Sequence, residues 1–131
     1  MNAQTERLTL SGPAGAIEAV RDSANLADGA APRGVAIIAH PHPLFGGTMD
    51  NKVVQTLARA FVQCGWTAVR FNFRGVGATA GVYDEGRGEL QDLLAVVEQV
   101  APAAVGQPLA LAGFSFGAFV TSHALEALWP T

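Results

Sequence analysis

Residues 109–118, with the sequence LALAGFSFGA, decide the fold. A short apolar run ends at Gly113, Ser115 follows, and Gly117 opens a second apolar segment with helical spacing. This order predicts a strand, a sharp turn and a helix, which is the setting in which G-x-S-x-G presents a serine hydroxyl. We therefore interpret Ser115 as a candidate nucleophile.

The two glycines of this turn have a steric purpose. A serine at the tip of such a turn lies in a strained backbone conformation, and a side chain at Gly113 or Gly117 would collide with the neighbouring strand or helix. The backbone N–H groups and the dipole of the following helix favour developing negative charge at the serine. The local pattern therefore suits acyl chemistry as well as a tight turn.

The composition favours a sheet that is buried on both faces. Half of the 131 residues are hydrophobic, only 15% are charged, and the mean hydropathy is +0.27. Such a chain suits a parallel sheet covered by helices, and its length allows one domain. The apolar stretch 108–129 is interpreted as a strand and a buried helix because glycines interrupt it and His123 and Glu126 lie within it.

Charge and cysteine content exclude several classes of partner. A net charge of −3 gives no reason to expect nucleic acid or an anionic membrane. The single cysteine, Cys64, excludes an internal disulfide framework and suits a reducing compartment. The first seven residues lack the basic and then apolar order of a signal peptide. We expect a soluble, cytoplasmic protein.

Glycine and proline residues divide the rest of the chain into segments that are predicted to be strands and helices. Glu89 and Asp92 stand near the start of the helix predicted at 90–100 and are interpreted as favourable charges beside its N-terminus. The loop at 40–48 contains two prolines and two glycines, which predicts irregular structure. The predicted elements are a hairpin from 7–10 and 16–21, strands at 35–39, 66–71 and 109–112, and helices at 51–64, 90–100 and after Ser115. The order is β-β-β-α-β-α-β-α.

Three segments resemble the α/β-hydrolase superfamily, and within it a group of small bacterial predicted hydrolases. They are HPHPLFGGTMDNK at 40–52, RFNFRGVG at 70–77 with DEGRGEL at 84–90, and GFSFG at 113–117. The resemblance implies a mostly parallel sheet with helices on both faces. It covers the chain after residue 6 and corresponds to the N-terminal half to two-thirds of such a domain, so we expect 1–131 to be a single incomplete domain.

The resemblance also implies roles for individual residues. Ser115 matches the nucleophile, and Phe116 matches the residue whose backbone N–H forms half of the oxyanion hole. The other half would come from the loop after strand 35–39. There, His42 is the first candidate donor and Leu44 the fallback, because the two prolines of this loop have no N–H.

Other residues of these loops are interpreted as shaping them. No metal site is expected from His40 and His42, because no third ligand stands at a suitable spacing, whereas a substitute base for Ser115 at one of them stays open. The resemblance implies no cofactor. The residues interpreted as loop-shaping are His40, Gly46, Gly47 and Arg74.

The chain departs from the family pattern after Ser115. The family has its acid and then its histidine on later strands, whereas this chain offers only His123 and Glu126 within one helix. His123 lies about 12 Å along that helix from Ser115, so it cannot reach the hydroxyl. The acid and the histidine are therefore missing from this chain.

Two functions remain open at this point. The first is a serine hydrolase that acts on a carboxylic ester, thioester or amide of a small-molecule acyl substrate. The second is a catalytically inactive truncated module that serves in binding or oligomerisation. In either case an apolar strand edge at 109–112 would be open, so a homo-oligomer formed through that edge is expected.

Overall fold

The computed structural model describes residues 5–102 and 105–129. Its elements follow the predicted order, and every predicted strand and helix is confirmed within a few residues of its bounds. In chain order they are β1 (Thr5–Gly12), β2 (Gly15–Asp22), β3 (Val35–Ala39), α1 (Lys52–Gln63), β4 (Thr67–Phe71), α2 (Arg87–Val100), β5 (Leu109–Gly113) and α3 (Phe116–Leu128).

The loop after β3 departs from the prediction at one place. Irregular structure was expected throughout 40–48, but Pro43–Phe45 forms a single 3₁₀ turn. Pro43 begins the turn, where its missing N–H would have had no helical partner. Gly46 ends the turn in the left-handed region, at a φ of 84°.

The five strands form one sheet in the order β1-β2-β4-β3-β5. β1 pairs with β2, and β2 with β4, in antiparallel fashion, whereas β3 pairs with β4 and β5 in parallel. All of the described strands except β2 therefore point the same way. This confirms the mostly parallel sheet, and it brings the carboxyl ends of β3, β4 and β5 to one edge.

Both faces of the sheet are covered, as predicted. Along β3, Ile37 packs with α2 and α3, whereas the next residue, Ile38, packs with α1. Burial of each such side chain contributes roughly 2 kcal/mol to folding. Among the described residues no helix is long and apolar enough to cross a membrane.

The long loop between β4 and α2 is fixed to α2 by two carboxylates. Arg74 donates from Nε and Nη2 to the two oxygens of Asp92, at 3.0 and 2.7 Å. The fully buried Glu89 accepts the backbone N–H groups of Asp84 and Gly86, at 2.8 and 2.9 Å. Glu89 thus lies at its helix N-terminus as predicted.

The prediction for Asp92 was wrong. Its carboxylate binds Arg74 and does not contact the N-terminus of α2. The helix begins at Arg87, so Asp92 lies beyond the first turn, where the helix dipole has little influence.

β5 is an edge strand of the described sheet. It pairs with β3 alone, and its five residues are all half-buried. Leu109 and Leu111 pack partly against the core. Among the described residues no strand pairs with the edge of β5 that faces away from β3.

Candidate active site

Ser115 lies between the end of β5 and the first residue of α3. Its backbone has φ 59° and ψ −117°, a conformation that residues other than glycine rarely adopt. The residue is solvent-exposed. The sharp turn therefore directs the chain from strand to helix while it leaves the serine at the surface.

The glycines on either side of Ser115 are required by close packing. A Cβ at Gly113 would lie 2.6 Å from the carbonyl oxygen of Gly117. A Cβ at Gly117 would overlap the carbonyl oxygen of Ala39 and lie 2.6 Å from that of His40. The first turn of α3 therefore rests directly on the carboxyl end of β3.

His42 organises the loop that follows β3. Its carbonyl oxygen accepts the N–H groups of Phe45 and Gly47, at 3.1 and 3.0 Å. Its side-chain Nδ1 accepts the N–H of Leu44 at 3.2 Å. Gly47 is needed because a Cβ there would overlap the carbonyl of Pro41. One residue thus holds the whole 3₁₀ turn.

These contacts distinguish the two donors considered for the second half of an oxyanion hole. The Leu44 N–H is already engaged by the His42 side chain. The backbone N–H groups of His42 and Phe116 donate no hydrogen bond within residues 5–102 and 105–129. The imidazole of His42 and the ring of Phe116 are 4.9 Å apart, so the two loops are neighbours. His42 is therefore the better candidate of the pair.

His40 is buried and its ring is fully engaged. Its Nδ1–H donates to the carbonyl of Pro41 at 2.7 Å, and Nε2 accepts the N–H of Phe73 at 3.0 Å. Burial lowers the pKa of His40 to about 4. The neutral ring therefore connects the ends of β3 and β4 and has no lone pair left to take a proton from Ser115.

We expect the free energy of unfolding to fall by about 2 kcal/mol between neutral pH and about pH 4.5 because of His40. In the unfolded chain the imidazole takes up a proton near its ordinary pKa of about 6.5. In the native protein the buried ring stays neutral down to a pKa of about 4. The contribution of His40 is therefore complete above the unfolded value and is lost as the pH falls toward the native one. Urea unfolding at a series of pH values measures it.

Two variants isolate this contribution. His40→Asn should reduce the dependence of unfolding free energy on pH, whereas His123→Asn, at an exposed site, should leave it unchanged. An unaltered pH dependence in His40→Asn would show that other groups cause it.

The remaining candidates lie away from Ser115. His123 packs edge-to-face on Phe119, with ring centroids 4.7 Å apart, and Glu126 is exposed on α3. Arg74 is committed to Asp92. Within the described part of the chain, no three His, Cys, Asp or Glu side chains gather where they could hold a metal ion.

The structure adds an aromatic surface that the sequence did not indicate. The rings of Phe45, His42, Phe116 and Phe119 follow one another at centroid distances between 4.7 and 6.3 Å. Phe45 is 85% exposed and Phe119 is 51% exposed. Tyr83 packs on both His42 and Phe116, at 5.0 and 5.8 Å. An apolar wall made of these rings therefore extends from Phe116, the residue that follows Ser115 in the chain.

Comparisons with known proteins agree with this architecture. A family model described as serine aminopeptidase, S33 (Hydrolase_4) matches residues 30–130. An uncharacterized protein of Rickettsia prowazekii is 44% identical over 89 residues, which are 66% of this chain and 37% of that protein.

Two solved structures are similar over nearly the whole chain. An α/β serine hydrolase without lid from Xanthomonas campestris is 45% identical, with a TM-score of 0.89, and the match covers 99% of this chain and 59% of that one. An α/β serine hydrolase homologue from Coxiella burnetii is 43% identical, with a TM-score of 0.87, and the match covers 98% and 60%. The chain thus spans less than two-thirds of the length of these relatives.

Proposed function

Because the chain belongs to the serine aminopeptidase S33 family, within the α/β-hydrolase superfamily, we propose that it carries the nucleophile of a serine hydrolase. Its substrate is a small molecule with a carboxylic ester, thioester or amide bond. The observation that carries the proposal is the backbone of Ser115, at φ 59° immediately before the first residue of a helix. The chain spans 59% of the length of its solved relative from Xanthomonas campestris. We therefore propose the hydrolase activity for a protein that contains this chain.

In the proposed reaction Ser115 Oγ attacks the carbonyl carbon of the substrate. The electron pair of the C=O bond moves to its oxygen, which then accepts the backbone N–H groups of Phe116 and His42. A donor of this kind contributes about 3 kcal/mol to the transition state. Collapse of the adduct expels the alcohol, thiol or amine and leaves an acyl-enzyme, which water hydrolyses.

The proton of the Ser115 hydroxyl must pass to a base. Both nitrogens of His40 are engaged, His42 Nδ1 accepts the Leu44 N–H, and His123 packs against Phe119. None of the three histidines in the sequence is therefore suited to the task. We propose that a histidine and an acid outside this chain complete the triad.

The alternative is a catalytically inactive module that acts in binding or oligomerisation. Within the described part of the chain the outer edge of β5 has no partner strand, and this favours the alternative because an unpaired strand edge is a template for association with another chain. The same edge is also compatible with the hydrolase, so a chemical test of Ser115 has to distinguish the two.

Labelling by a fluorophosphonate tests the proposal in a protein that contains this chain together with the proposed histidine and acid. We expect labelling of the wild type at Ser115 and a complete loss of labelling in Ser115→Ala, because the reagent reacts with an activated serine hydroxyl. In-gel fluorescence and mass spectrometry of the labelled peptide measure the result.

Ser122→Ala is the matched control. It makes the same substitution in α3, the helix that follows Ser115, at an exposed hydroxyl that donates to the carbonyl of Phe119. This variant should be labelled like the wild type. A folded wild-type protein that contains the proposed histidine and acid but takes no label would instead support the inactive module.

A further inference from the structure

Tyr83 is held beside the proposed site by contacts on both sides of it. The next residue, Asp84, donates its backbone N–H to the buried Glu89 at 2.8 Å, which fixes this part of the loop to α2. The Tyr83 ring packs on His42 and Phe116. The half-buried Tyr83 therefore lies against the side chains of the two residues whose backbone N–H groups are proposed as oxyanion donors.

The hydrogen bonds of His42 determine which way the bond to Tyr83 runs. Because Leu44 donates to Nδ1, that nitrogen carries no proton, and the neutral imidazole keeps its proton on Nε2. His42 Nε2 lies 3.2 Å from the Tyr83 hydroxyl. Nε2–H is therefore the donor, and the phenolic oxygen is the acceptor.

This direction leaves the Tyr83 proton unused. A phenol can accept one hydrogen bond and still donate its own O–H. Among residues 5–102 and 105–129 no acceptor for that O–H is found other than the His42 nitrogen, which is itself the donor. The hydroxyl can thus donate a hydrogen bond to a ligand. It is oriented by the imidazole of His42 and lies at the edge of the apolar wall.

We propose that Tyr83 is a substrate-binding residue of this site, whose hydroxyl donates to an oxygen of the substrate's acyl group. His42 is the positioning residue, since its side chain sets the direction of the phenol. The inference rests on the proposed function for its choice of ligand. The Tyr83 ring packs on Phe116, and the rings of Phe45 and Phe119 continue the same wall through His42 and Phe116. This aromatic lining fits an uncharged acyl compound with an apolar body. The exposed Glu85 in the same loop disfavours an anionic one.

The test uses the Ser115→Ala chain, so that its outcome does not depend on the reactivity of the serine. The probe is benzamide, which offers a ring and a neutral carbonyl oxygen. Tyr83 is the only tyrosine in the 131 residues, so 3-fluorotyrosine incorporated during expression labels this position alone. We expect a saturable change of the ¹⁹F chemical shift on addition of benzamide.

A second comparison separates the hydroxyl from the ring. In Tyr83→Phe, we expect benzamide to bind about fivefold more weakly in an NMR titration, as expected for one lost hydrogen bond. Ethylbenzene has no acceptor, so its affinity should be the same for both chains. His42→Asn keeps an acceptor for the Leu44 N–H but loses the donor to Tyr83. This variant should also bind benzamide more weakly and bind ethylbenzene as the chain with His42 does.

Each outcome decides the proposal. An equal loss of affinity for benzamide and ethylbenzene would show that Tyr83 serves only as an apolar wall. A ¹⁹F signal that does not respond to benzamide would show that the phenol faces no ligand site. Either result overturns the inference whether or not Ser115 is labelled by the fluorophosphonate, which is the separate test of the proposed function.

Discussion

Replacement of Gly117 by alanine is expected to lower the free energy of unfolding by about 3 kcal/mol or more. The added Cβ would overlap the carbonyl oxygen of Ala39 and approach that of His40, and both are backbone atoms that cannot rotate away. Helix propensity alone predicts the opposite, since alanine is favoured over glycine by about 1 kcal/mol inside a helix. The sign of the measured change therefore shows which effect is larger.

Urea unfolding followed by tryptophan fluorescence measures this change. Gly46→Ala is the matched control because no atom lies within 4 Å of the added Cβ, although the φ of 84° strains an alanine there. Its expected cost is only about 1 kcal/mol. If Gly117→Ala is as stable as the wild type, α3 does not rest on β3 as closely as described.

A loss of about 3 kcal/mol is also expected for Asp92→Asn. The side chain of Asp92 is 2% exposed and that of Arg74 is 13% exposed, so the substitution leaves a nearly buried guanidinium without its counter-charge. Hydrogen bonding to Asp92 raises the pKa of Arg74, which shows that the carboxylate favours the charged guanidinium. Because asparagine keeps the shape of the aspartate side chain, the change in the free energy of unfolding measures the effect of removing its charge.

Asp84→Asn is the control for this variant. Asp84 pairs with Arg87 at 3.7 Å, but the two side chains are 43% and 74% exposed. Such a surface pair contributes less than about 1 kcal/mol. Similar losses in the two variants, measured by urea unfolding, would contradict the special role of the Arg74–Asp92 pair.

The pair bears on the site as well as on stability. Arg74 and Asp92 fix one end of the loop that carries Tyr83, and Glu89 fixes the other end through Asp84 and Gly86. The position of the phenol beside His42 therefore depends on two buried carboxylates of α2. Neither Asp92 nor Glu89 belongs to the sequence motif around Ser115.

The order of the elements could be predicted because it depends on local signals. Gly65 ends α1 at a φ of 89°, and the alternation of apolar residues shows where each helix lies. The strained turn at Ser115 could be predicted for the same reason, since G-x-S-x-G lies between an apolar strand and an apolar helix. These features need no knowledge of distant contacts.

The lateral contacts of the site could not be predicted in this way. His42 and Tyr83 are 41 residues apart, and His40 and Phe73 are 33 residues apart. No periodicity connects such positions, because they meet only when β3 and β4 pair in parallel. Arg74 and Asp92 are closer in sequence, yet the helix-dipole argument assigned Asp92 to the wrong partner.

The backbone of Ser115 has a consequence for how such a chain could change over generations. A glycine at this position would adopt the same φ without strain, so selection for stability alone would replace the serine. Under the proposed function, the need for a nucleophilic hydroxyl opposes that replacement. The residue at position 115 can therefore serve as a marker. In descendants that no longer use the hydroxyl, we expect glycine to replace the serine early.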